Sequence, residues 1–114
     1  LMENQKEIIN KGGTMRLGAW DCKIEPNSRA SVIYNAFEIS ERHRHRYELN
    51  NKYLKKLKSN GLNISGVNTK TGLAEIIEIK NHPWFIGVQF HPEYKSTVLN
   101  PHPLFKSFIK ACCN

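Results

Sequence analysis

Apolar and polar positions change period several times along this chain, and each change marks an element. From Met15 to Ile24 they alternate imperfectly, the two-residue period of a strand, with Met15, Leu17 and Ala19 on one face. Glu25-Pro26-Asn27-Ser28 interrupts that pattern, and Ser28 is placed to cap a short helix through Tyr34. Glu38 to Leu49 alternates again, now in charge: Arg42, Arg44 and Arg46 fall on one face, His43 and His45 on the other. Asn50 or Asn51 can cap a helix from Lys52 to Asn60 with Leu54 and Leu57 as its apolar seam, and Gly61 can end it in the left-handed conformation.

Leu62–Val67 and Leu73–Ile79 read as two short strands, and Asn68–Gly72 between them has hairpin chemistry. Asn81-His82-Pro83 breaks the pattern. Trp84 to Phe90 is nearly continuous in apolar character, which predicts a strand covered on both faces. It stops at His91-Pro92-Glu93. Pro101 and Pro103 open a last helix, whose stripe of Leu104, Phe105, Phe108, Ile109 and Cys112 predicts a core or interface face. The segment 1–11 is polar, and Gly12-Gly13-Thr14 reads as a loop, so residues 12–114 carry the fold. The mixture of strands and helices is of the α/β class. A strand like Trp84–Phe90 needs more cover than these short helices supply, so the chain is expected to complete a larger sheet.

Composition narrows this picture. At 114 residues, 39% of them hydrophobic, the chain is one globular domain or part of one. It contains no apolar run long enough to span a membrane, and its first residues lack the apolar middle of a signal peptide. It opens on Leu1 with its first methionine at Met2, which hints at a partial sequence. Cys22, Cys112 and Cys113 are an odd set without framework spacing, as expected of free thiols in a cytoplasmic protein. The net charge of +7 gathers between Arg42 and Lys58, where seven Lys or Arg accompany Glu41 and Glu48. Such a run fits either a nucleic-acid backbone, with Tyr47 and Tyr53 as stacking surfaces, or a solvated face. The five histidines and three cysteines match no common zinc spacing, so no metal is expected.

The candidate chemistry lies at Phe90-His91-Pro92-Glu93. Open α/β sheets bind ligands beyond the carboxyl ends of their strands. Histidine takes and returns a proton near neutral pH, and a carboxylate two residues on can reach one ring nitrogen, leaving the other for a nucleophile. The bland alternative is a packing histidine beside a surface glutamate, because His-X-Glu is a short pattern. The longer stretch Gly87-Val88-Gln89-Phe90-His91-Pro92-Glu93 resembles the His–Glu signature of class I, triad-type glutamine amidotransferases. Gly12–Gly18, Glu41–Glu48 and Asn81–Phe85 resemble, in order and spacing, the CTP synthase branch of that family.

That resemblance implies the C-terminal half of a flavodoxin-like, three-layer α/β/α domain with a mostly parallel central sheet. To this the chain would contribute the last strands, an antiparallel excursion and the terminal helix. It implies an enzyme that hydrolyses glutamine and passes ammonia to an ATP-dependent conversion of UTP to CTP. His91 would be the base, Glu93 its partner, and Arg46 a holder of the glutamine substrate. The family uses ATP and magnesium with GTP as allosteric activator, and assembles as tetramers, but no residue here is assigned to a cofactor. The family's cysteine nucleophile sits on a glycine-flanked turn. Cys22 lies in Trp20-Asp21-Cys22-Lys23, and Cys112 and Cys113 end a helix, so the nucleophile is expected outside this chain, which alone would be inactive. The competing expectations are a stand-alone remnant without catalysis, and a basic nucleic-acid-binding domain.

Overall fold

A computed structural model describes residues 16–45 and 53–113. Five strands form one sheet in the order β2-β1-β3-β4-β5: β1 (Arg16–Ile24), β2 (Glu38–His45), β3 (Leu62–Asn68), β4 (Ala74–Ile79) and β5 (Ile86–Val88). Every pairing among them is antiparallel. The mostly parallel sheet expected of an intact domain is thus not among the described strands. β1 pairs with β2 along nearly its whole length, but with β3 only through Cys22, Lys23 and Ile24. Its first half therefore runs out as a two-stranded ribbon.

Three helices accompany the sheet: α1 (Arg29–Tyr34), α2 (Leu54–Ser59) and α3 (Pro103–Cys112). Helix α1 begins where its sequence predicts. The Ser28 hydroxyl accepts from Ser31 N at 3.0 Å, while the Glu78 carboxylate, from β4, accepts from Arg29 N and Ala30 N at 3.0 and 2.8 Å. The amides that a helix start leaves unpaired are thereby satisfied from another element. Gly61, at φ +95°, follows α2 as expected. Leu57 is half-buried; the Leu54 side chain and the proposed caps Asn50 and Asn51 lie outside the described atoms. The 68–72 turn closes through Asn68, whose side-chain oxygen accepts from Lys70 N and Thr71 N, both at 2.9 Å. Segment 1–11 and the loop 12–14 also lie outside the described residues.

The core consists of Cys22, Ile24, Ala30, Ile76, Phe90 and Leu104. Gly66 lets β1 and β4 close over it: a Cβ there would lie 2.7 Å from Ile76 Cγ1 and 2.9 Å from Cys22 Sγ. The face of β1 that holds Leu17 and Ala19 is the exposed one, and Cys22 and Ile24 on the opposite face enter the core. One expectation needs correction. The apolar run Trp84–Phe90 is not a strand covered on both faces. Only Ile86–Val88 pairs, half-buried and with β4 alone; Trp84 turns to α3, where its Nε1 donates to Ser107 Oγ at 2.7 Å, and Phe90 turns into the core. The stripe of α3 buries Leu104 and leaves Phe105, Phe108, Ile109 and Cys112 exposed, with Trp84 packed edge-on against Phe108 at 5.1 Å between ring centroids.

Candidate active site

Beyond β5 the chain dives and then turns out. Gln89 N donates to Glu75 O at 3.0 Å, Phe90 is buried, and His91 N donates to Arg42 O at 2.8 Å. Pro92 then opens a single 3-10 turn, Pro92–Lys95. Proline suits a first helical position because it has no amide to leave unpaired. Lys95 Nζ donates to Ser40 O at 2.8 Å, so the turn is tied to β2 at a second point.

This turn brings Glu93 back onto its own loop. Its Oε2 lies 2.8 Å from His91 Nδ1. The carboxylate accepts, which puts the ring proton on Nδ1 and leaves the Nε2 lone pair available. The hydrogen bond from His91 holds the Glu93 carboxyl below its ordinary range. The Tyr94 ring stacks on the imidazole, with centroids 4.9 Å apart and planes 14° from parallel. Both members of the pair meet solvent, the His91 side chain being 35% exposed and that of Glu93 54%. Beside Tyr94 opens a cleft of about 530 Å³ lined also by Leu17, Gly18, Arg42, His43 and Arg44.

Of the residues singled out in the sequence, His91 and Glu93 meet, while Arg46 lies outside the described residues. The charge alternation of β2 holds: Arg42 and Arg44 are exposed, and His43 is buried. Cys22 lies in the core on a regular strand; Cys112 and Cys113 are exposed at the end of α3; none forms a disulfide. Among the described residues no group of three or more His, Cys, Asp or Glu converges as metal ligands, and no helix is long and apolar enough to cross a membrane.

Sequence reasoning missed two buried partners of β2. Glu41 Oε2 accepts from the Tyr34 hydroxyl at 2.6 Å and contacts His102 Nε2, while His43 Nε2 lies 2.9 Å from Glu75 Oε2. All four of these acid and histidine side chains are nearly inaccessible. The signal was present, since strand alternation puts Glu41 on the inward face with His43, but their partners lie 61 and 32 positions away in sequence.

The chain matches the family model described as glutamine amidotransferase class-I over residues 2–111. It is 65% identical to a CTP synthase of Flavobacterium johnsoniae over 114 residues, all of this chain and 21% of that protein. It is 60% identical to a CTP synthase of Salinibacter ruber over 98% of this chain and 20% of that one. The chain thus spans about a fifth of the length of these curated relatives. Its structure resembles the glutaminase domain of Trypanosoma brucei CTPS with bound acivicin, at a TM-score of 0.83 and 40% identity, covering 90% of this chain and 41% of that one. The chain belongs to the class-I glutamine amidotransferase family, and within it is similar to the glutaminase portion of CTP synthases.

Proposed function

We propose that this chain supplies the general base and its orienting carboxylate to the glutaminase of a CTP synthase. The observation that carries the reading is the 2.8 Å pairing of His91 Nδ1 with Glu93 on a loop anchored to β2. In this reading His91 Nε2 takes the proton of a cysteine thiol contributed from outside the chain. The thiolate attacks the amide carbon of glutamine. As the tetrahedral intermediate collapses, the C–N bond breaks and the imidazolium returns its proton to the departing nitrogen, which leaves as ammonia. A water, deprotonated at the same Nε2, then cleaves the thioester to glutamate and free thiol. Glu93 fixes the tautomer and stabilises the imidazolium at each turn. Arg46 receives the glutamine carboxylate, a role suited to a guanidinium fork.

The ammonia would serve the ATP-dependent amination of UTP to CTP in a longer, cytoplasmic, tetrameric protein. ATP, magnesium and GTP belong to that protein, and no step here runs through them. Cys22, being buried, and Cys112 and Cys113, lacking a neighbouring base, do not serve as the nucleophile, so the chain alone releases no ammonia from glutamine. In the longer protein, His91→Ala abolishes glutamine-dependent CTP formation while free ammonia still supports it. Equal loss of both activities would make His91 structural and end this reading.

A further inference from the structure

We propose that Glu41, His102 and Tyr34 are positioning residues for the loop that carries His91, acting as its third and farthest clamp on β2. This rests on the reading of His91 as the base. The stretch from His91 to His102 is a strap that meets one strand at three points and loops out to solvent at Val98 and Leu99 between the last two. Its near end is held by His91 N on Arg42 O, and its middle by Lys95 Nζ on Ser40 O. Its far end is held by the His102 ring on the Glu41 side chain, and Glu41 lies between those two residues of β2. Within the strap, His102 N donates to Ser96 Oγ at 2.9 Å.

The protonation of the clamp follows from its geometry. His102 Nδ1 accepts from Leu104 N at 3.1 Å, capping α3, so the ring proton is on Nε2 and points at Glu41. Tyr34, from α1, donates to the same Glu41 oxygen and meets the His102 ring edge-on at 5.5 Å. The other oxygen, Glu41 Oε1, is buried with no hydrogen-bond partner among the described residues, so both donors converge on one acceptor. Glu41 and His102 are 1% and 3% exposed, and burial makes such directed contacts stiff, because a displaced donor or acceptor has no water to replace its partner. The strand that carries Glu41 also presents the carbonyl that fixes His91. Holding the strap at both ends keeps the imidazole of His91 on Glu93.

The two ring nitrogens of His102 do different jobs, so two substitutions separate them. Asparagine reproduces the Nδ1 acceptor, and glutamine the Nε2 donor. His102→Asn keeps the cap and loses the clamp; His102→Gln keeps the clamp and loses the cap. The full chain labelled with ¹⁵N-histidine reports the tautomer of His91 directly. The wild type should show a single Nδ1–H form, His102→Asn a mixture of tautomers, and His102→Gln the single form again. Glu41→Leu, which fills the site without an acceptor, should match His102→Asn. A wild-type His91 that is not Nδ1–H would refute the reading of Glu93 as its partner. A wild-type Nδ1–H form that survives in His102→Asn, or is lost alike in both His102 variants, would refute the clamp alone.

Discussion

Two kinds of histidine–carboxylate pair flank strand β2, and their surroundings make them opposites. On the solvent side, His91 and Glu93 are two residues apart, the first half-buried and the second exposed, and held at 2.8 Å by a turn. On the inner side, His102 with Glu41 and His43 with Glu75 are remote in sequence and nearly sealed from water. The chemistry of the side chains is the same. The exposed pair leaves one imidazole nitrogen open to a reactant. In the buried Glu41–His102 pair every ring nitrogen is committed, one to a helix cap and the other to a carboxylate. An acid–histidine contact is therefore read by its free nitrogen and its exposure, not by its distance.

The largest expected effect separates the two sides by stability. Removing Glu41 strands two buried neutral donors, the Tyr34 hydroxyl and His102 Nε2–H, at about 1–3 kcal/mol each. Glu41→Ala should lower unfolding stability by that order in urea, whereas Glu93→Ala should leave the midpoint unchanged within error, because exposed pairs contribute little. Similar midpoints for the two variants would remove the distinction.

Titration from both ends sharpens it. Burial, then the hydrogen bond and charge of Glu41, raise the Tyr34 hydroxyl far above the ordinary tyrosine range. A group whose folded value is raised stabilises fully below its unfolded value, roughly 10 for tyrosine, and loses that contribution as pH climbs past it. The phenolate of Tyr34 should thus appear at 295 nm only as the fold is lost in alkali, and Tyr34→Phe should abolish that part of the transition. At the acid end the sign reverses. Glu93, with a lowered value, keeps its contact above the ordinary glutamate range and loses it as pH falls through the lowered one. Its ¹³C carboxyl midpoint should sit below that of an ordinary glutamate and return upward in His91→Ala.

The exposed pair was legible in the sequence because its members are neighbours and the turn between them is local. So were the Ser28 cap and the 68–72 turn, each set by residues within a few positions of one another. What the sequence hid depends on chain-distant contacts. Glu78 capping α1 from β4, and His102 reaching Glu41, follow from tertiary packing rather than from local pattern. The apolar run Trp84–Phe90 misled for the same reason: hydrophobicity records that residues are buried, not whether they pair as strand or peel away to pack under a helix. The family likeness, by contrast, was readable from the motif around His91 without any fold.

The division of labour across β2 is tested most directly by Glu93→Gln in the longer protein, with glutamine-dependent and ammonia-dependent CTP formation measured side by side. Loss of the carboxylate that sets the His91 tautomer should lower the glutamine-dependent kcat by about 10²–10⁴, the range for a positioned acid–base group, and leave the ammonia-dependent rate and the melting temperature in place. Equal loss of both rates, or no loss of either, would contradict the account.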